Sequence, residues 1–288
     1  MAKPIGKQRL QDWLTQLWVL QFGQQIDPDS FDWLLGPFGS TDQIGEQFIA
    51  ELAEKENLER AAKNQEAGLL SSIHDLNLSA AELNQLAPEI IDFYEHTAAY
   101  DLSLEVNWNR SFLLFGTLVK WLFSRRIQQL NIPTTSSEIA AGLTNELIQL
   151  RDPKCKAIKR TFWFRTLRST GEVVYSGIYG TSQLPNGKRV VKAIFPLPHG
   201  NATVLLLPSV QADGSLRLSS AGKKMGDSGF YFLLEDARGQ FWAKFIRSFK
   251  DELHVFMEKG ELKALQKLTL WSIPVLRFSY KLNKKSSF

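Results

Sequence analysis

The stretch Val173-Val174-Tyr175-Ser176-Gly177-Ile178-Tyr179-Gly180-Thr181-Ser182-Gln183-Leu184-Pro185-Asn186-Gly187-Lys188-Arg189-Val190-Val191-Lys192-Ala193-Ile194-Phe195 decides the fold. Pro185-Asn186-Gly187-Lys188 stands at its centre. Asn-Gly accepts positive φ at the tip of a two-residue hairpin, so the flanking runs pair antiparallel. The first run has period two: Val173, Tyr175, Gly177 and Tyr179 share one face, and Val174, Ser176 and Ile178 the other. The same grammar runs from about residue 159 to the C-terminus. Apolar-rich runs alternate with turns at Ser169-Thr170-Gly171, Ala212-Asp213-Gly214-Ser215, Asp236-Ala237-Arg238-Gly239 and Glu258-Lys259-Gly260, with no helical pattern between them. Such a succession is an antiparallel β-meander of about ten strands, curled into a barrel or half-barrel.

Details within the meander refine it. Thr203 to Leu207 is apolar almost throughout, as a strand buried on both faces should be. Phe241, Ala243, Phe245, Arg247 and Phe249 oppose Trp242, Lys244 and Ile246, which places this run between a barrel interior and a covering helix. Pro274 separates Leu265–Ile273 from Val275–Tyr280.

The first half carries a different period. Leu10, Trp13, Leu14, Leu17 and Trp18 recur at helical spacing and form one apolar face. Ser40 with Gln43 and Ser79 with Glu82 fit capping boxes, and Pro88 suits a first helical turn. Phe112 to Phe123 is the most apolar segment, followed by Arg125 and Arg126. It is shorter than the roughly 20 residues that span a bilayer. It reads as a core helix on the sheet, an interfacial helix or a wall of a ligand cavity. The organisation expected is α+β: an acidic helical region over 1–108, an apolar helix and connector over 109–150, and a basic antiparallel barrel-like domain over 151–288.

Charge divides at nearly the same boundary. Residues 1–150 hold 10 Lys+Arg and 20 Asp+Glu, whereas residues 151–288 hold 24 and 10. Either an acidic helical layer docks on a basic sheet, or the basic surface meets an anionic partner such as a phospholipid headgroup, an acidic metabolite or nucleic acid. Scattered lysines and arginines and core-like aromatics argue against nucleic acid. The single cysteine, Cys155, excludes an intramolecular disulfide, and no signal peptide is visible, so the expected setting is cytoplasmic.

No catalytic pattern is complete. Gly226-Asp227-Ser228-Gly229 resembles the nucleophile turn of chymotrypsin-type serine proteases, but the likeness ends there, because no Thr-Ala-Ala-His-Cys segment occurs and neither His74 nor His96 stands in the required strand context. His74, His96, His199 and His254 lie far apart without metal-ligand spacing, and no cofactor motif occurs. Glu95, His96 and Asp101, or His199 in its proline-rich loop, are the sites where an acid–base enzyme would have to be built.

In architecture the meander is similar to calycin-like ligand-binding barrels, although the lipocalin Gly-x-Trp signature is absent. The function expected is non-enzymatic binding of an apolar or amphipathic anionic, lipid-like molecule inside the barrel. Arg165, Tyr175, Tyr179, Phe232, Trp242, Arg247 and Trp271 are its candidate contacts, and Arg168 and Arg277 further candidate inward charges. The alternatives are the acid–base enzyme and a peripheral membrane or scaffolding protein using Phe112–Arg126. Composition does not fix the oligomeric state.

Overall fold

The fold is that of a computed structural model describing residues 10–39, 46–108, 143–168 and 173–285. The chain runs through α1 (Leu10–Phe22), β1 (Gln24–Ile26), α2 (Glu46–Lys55), β2 (Glu59–Arg60), α3 (Ala80–Gln85) and α4 (Pro88–Glu95). Twelve strands follow: β3 (Tyr100–Trp108), β4 (Leu143–Arg151), β5 (Ile158–Leu167), β6 (Val173–Gln183), β7 (Arg189–Leu197), β8 (Gly200–Val210), β9 (Leu216–Ser219), β10 (Gly229–Glu235), β11 (Phe241–Phe245), β12 (Phe249–Glu258), β13 (Glu261–Leu270) and β14 (Ile273–Lys284).

Ten of these close a ring, β3-β4-β5-β6-β7-β8-β9-β12-β13-β14, with β14 pairing back to β3. Every pairing in it is antiparallel between ring neighbours, so the barrel is up-and-down. The β10–β11 hairpin is an excursion from it. Strand β8 makes the excursion possible by changing partner along its length. Gly200–Leu205 pair with β10, and Leu207–Val210 pair with β9. Strands β10, β11 and β1 therefore form a wing beside the barrel.

Three sequence expectations shift. The barrel begins before residue 151, because β3 and β4 belong to the ring. In β3 the period is already two, with Leu102 and Leu104 buried and Ser103 and Glu105 exposed. Phe241–Phe249 is not one strand: β11 stops at Phe245 and β12 starts at Phe249. The wing strand lies between α1 and the chain at residues 26–38, not against the barrel interior. The last hairpin turns at Trp271-Ser272, both with positive φ, and Pro274 falls inside β14 opposite Thr269. The Ser40–Gln43 cap and the Phe112–Phe123 segment lie outside the described residues.

The N-terminal chain wraps and then plugs the barrel. Trp33 and Leu34 pack on the outer sides of β7, β8 and β10. The buried Lys192 fastens this belt by donating to Trp33 O at 2.8 Å and to Leu35 O, and burial pushes its pKa down to about 7. Helix α2 lays Phe48, Ile49 and Leu52 over Ile148, Leu150, Phe162, Ile178 and Ile194. Cover on both sides explains why β7 and β8 are apolar on both faces. Residues 67–99 then close one end. Helix α3 opens with the Ser79–Glu82 capping box and α4 with Pro88, and Ala87 N bonds Gly214 O of the β8–β9 turn.

Ion pairs join the acidic and basic halves. Glu59 meets Arg151 at 2.7 Å and Lys156 at 2.8 Å, Glu56 meets Arg160, Asp101 meets Arg168, and Asp92 meets Lys284. Pairs this exposed stabilise weakly, but they orient the docking.

Candidate functional site

Inside the ring lies a cavity of about 330 Å³. Strand alternation builds its wall. Trp163 and Arg165 point in from β5, Val191, Ala193 and Phe195 from β7, and Ala202, Val204 and Leu206 from β8. Phe249, Asp251, Leu253 and Val255 point in from β12, Ala264, Gln266 and Leu268 from β13, and Phe278, Tyr280 and Leu282 from β14. The plug supplies Leu69, Leu70, Phe93 and Tyr94 as a floor. At the other end Phe230, Phe232 and Ile246 continue the wall onto the wing.

Almost all of this lining is apolar, which makes its polar exceptions informative. Arg165 Nη1 donates to Tyr280 Oη at 3.2 Å, and its guanidinium lies 4.4 Å from the Trp163 ring centroid. Gln266 Nε2 donates to both carboxylate oxygens of Asp251, at 3.0 and 2.9 Å. Tyr280 Oη donates on to Gln266 Oε1 at 3.4 Å, so Arg165, Tyr280, Gln266 and Asp251 form one connected cluster. Burial pushes the Asp251 pKa up to about 6, against the pull of Gln266 and of the Arg165 charge. Asp251 is held in place by Ser220, whose Oγ accepts from Asp251 N at 2.7 Å and whose N donates to Asp251 O at 2.9 Å.

Tyr94 adds a different polar group. Its hydroxyl is buried and has no hydrogen-bond partner among the described residues. Burial, with Tyr179 nearby, drives its pKa upward, so it stays a neutral donor. A second tie runs from the wall to the plug. Trp163 Nε1 donates to Asn145 Oδ1, and Asn145 Nδ2 donates to Thr97 O at 2.7 Å and Tyr100 O at 3.0 Å.

Three of the residues expected to contact a ligand line this space: Arg165, Tyr179 and Phe232. Tyr175 lies in β6 opposite Arg165, and its side chain is outside the described residues. The other three stand elsewhere. Trp242 sits on the wing, where its Nε1 donates to Asp236 Oδ2 at 3.2 Å. Arg247 is exposed in the turn between β11 and β12, and Trp271 is 66% exposed at the β13–β14 turn. They leave the cavity because the Phe241–Phe249 run breaks in two and the last turn falls at Trp271. Of the further arginines, Arg168 pairs with Asp101 and Arg277 is exposed.

Asp251, Gln266 and Tyr94 are the site residues that sequence inspection missed. The signal was present in β12 and β13. Asp251 occupies the inward parity with Phe249, Leu253 and Val255, and Gln266 that of Ala264 and Leu268. A polar residue on an apolar parity marks an inward charge.

The residues proposed for acid–base chemistry do not converge. Glu95 Oε1 accepts from Ile73 N at 2.6 Å, His96 Nδ1 lies 3.1 Å from Asp92 Oδ1, and Asp101 pairs with Arg168. His199 forms the left-handed corner of the β7–β8 turn, and its carbonyl accepts from Glu235 N. His254 does touch a serine, with Nε2 2.7 Å from Ser215 Oγ. That hydroxyl already donates to Asp213 Oδ1 at 2.6 Å, so the imidazole is the donor and not a base. In the Gly226–Gly229 loop, Asp227 Oδ2 accepts from Lys223 N and Lys224 N, a purely structural use.

Comparison with known proteins adds one relative. The chain is similar to an uncharacterized membrane protein, YndJ, of Bacillus subtilis (strain 168), at 26% identity over 216 residues. The match covers 74% of this chain and 37% of that protein, so the chain spans little more than a third of the relative's length. No family model matches, and no solved structure matches. Among the described residues no helix is long and apolar enough to cross a membrane.

Proposed function

We propose that the barrel binds an amphipathic, anionic, lipid-like small molecule without transforming it, in a reducing, cytoplasmic setting. The observation that carries this reading is the cavity: about 330 Å³ of apolar space with one connected polar cluster on its wall. That volume falls at the lower end of the range for ligand pockets. A core needed only for stability gains nothing from two opposite charges, since each buried ion costs several kcal/mol to desolvate. Arg165 supplies donors for a carboxylate or phosphate head, and the Tyr94 hydroxyl supplies another. The aliphatic and aromatic remainder suits a tail. A relative described as a membrane protein is in keeping with a lipid-like ligand.

Dodecanoate titrated into the full chain, followed by calorimetry and native mass spectrometry, tests the reading. Wild type is expected to bind one molecule, and dodecanol more weakly. Removing both charges, Arg165→Leu with Asp251→Asn, avoids stranding either ion and should weaken dodecanoate at least about tenfold while sparing dodecanol. No uptake of either compound by wild type, or a double variant that binds dodecanoate as tightly as wild type does, would overturn it.

A further inference from the structure

Helix α1 is amphipathic in the wrong sense for a surface helix. It buries Gln16, whose Nε2 donates to Pro198 O at 3.3 Å, beside Val19 and Leu20. It leaves Trp13, Leu14, Leu17, Trp18 and Phe22 exposed, Phe22 by 60%. Exposed apolar clusters of this kind mark interaction sites.

Its position gives the cluster meaning. Phe230, Phe232 and Leu234 alternate along one face of β10. The first two line the cavity, and Leu234 packs on Val19 and Leu20. Helix α1 thus lies on the wing face that continues the barrel's inner wall, at the end opposite the plug. An aromatic chain leads inward from it: Trp18 to Phe232 at 6.1 Å, Phe232 to Phe230 at 5.2 Å, Phe230 to Phe249 at 4.9 Å. Cations stand among the exposed rings. Lys244 Nζ is 5.7 Å from the Trp18 ring and 5.9 Å from that of Phe22, and Arg247 and Lys250 are exposed just beyond β11.

We infer that this end of the barrel docks on an anionic phospholipid bilayer, with α1 lying in the interface. Aromatic side chains favour the headgroup level, and basic residues near an anionic surface add electrostatic attraction. Apolar area and positive charge on one face suit a bilayer better than a second copy of the chain, whose like charges would face each other. As the route by which a ligand reaches the cavity, the inference rests on the reading above. As a docking surface it stands by itself.

Flotation of the full chain with phosphatidylcholine vesicles, with and without one-third phosphatidylglycerol, at low and high salt, tests it. Wild type should float with the anionic vesicles and be released by salt. Leu14→Ser with Leu17→Ser and Phe22→Ser should lower partitioning at least about tenfold. Arg247→Glu with Lys250→Glu should lower it on anionic vesicles alone. Both variants should bind detergent-dispersed dodecanoate as wild type does. Wild type that stays with the soluble fraction, including as a dimer formed through α1, would overturn the inference, as would undiminished flotation of the serine variant. Flotation without any dodecanoate uptake would support docking and remove the cavity reading instead.

Discussion

The two ends of the barrel are finished by opposite chemistry. At one end the floor is locked by directional bonds. Ser79 and Glu82 cap α3, Asn145 bridges Thr97 and Tyr100, Asp92 accepts from Tyr100 Oη and Lys284 Nζ, and Phe93 packs edge-on to Tyr100 at 5.3 Å. At the other end α1 and the Trp271 turn present bare rings and aliphatic groups to the outside. A barrel shaped only for stability would have no reason to treat its ends differently. The contrast sets a hydrogen-bonded closure at one end against an exposed apolar surface at the other.

The largest expected effect lies at the closed end. A Cβ on Gly68 would stand 2.3 Å from Glu95 O and 2.5 Å from Tyr94 O, so the backbones there touch. Gly68→Val should cost about 3 kcal/mol or more, read as a fall in melting temperature of roughly 6 °C or more. Wild-type melting in that variant would mean that the floor is not seated as described.

A smaller effect concerns the wall between the ends. Asp251 titrates near 6 when folded and at 3.8 when unfolded, so burying its charge costs most above pH 6. That cost fades as pH falls through 6 toward 3.8. Relative to Asp251→Asn, wild type should therefore gain stability on acidification from pH 7 to 4.5, by up to about 1.4 kcal/mol per pH unit. Denaturant titrations of both proteins measure the difference, and parallel pH profiles would contradict it. Because protonation leaves the Arg165 charge unopposed, an anionic ligand should also bind more tightly toward pH 5.

Tyr94→Phe should do least to stability, within about 0.5 kcal/mol or slightly favourable, since the hydroxyl has no hydrogen-bond partner among the described residues. A drop in dodecanoate affinity without a change in melting would assign that hydroxyl to the ligand. A substantial loss of stability would instead mean that it is bonded within the protein.

Much of the architecture was legible because β-turn chemistry is local. Pro185-Asn186-Gly187, Asp213-Gly214, Asp236 to Gly239 and Lys259-Gly260 each join paired strands. What was illegible depended on distant partners. Nothing near Phe241 reveals that β8 changes neighbours at Leu205–Leu207 and sends β10 and β11 out of the ring. The apolar face of α1 was visible in the sequence, but not that it faces outward, since period alone cannot say which side has a partner. At the site, Tyr179 came from the period-two face it shares with Val173, Tyr175 and Gly177, and Arg165 was one of several arginines read as candidate inward charges. Asp251 and Gln266 were overlooked although the same rule marks them. Tyr94 was reachable only through the plug, whose contacts with the barrel cross the whole chain.

The pairing of β14 with β3 joins residues 276–284 to residues 100–108. On a ribosome, the ring therefore cannot close until the C-terminal strand has emerged, and the inner faces of nine earlier staves stay uncovered until then. Contacts so far apart in sequence also make for slow folding. Losing even the last dozen residues would leave an unpaired seam on both β3 and β13, so C-terminal truncation should yield aggregates rather than a shorter barrel.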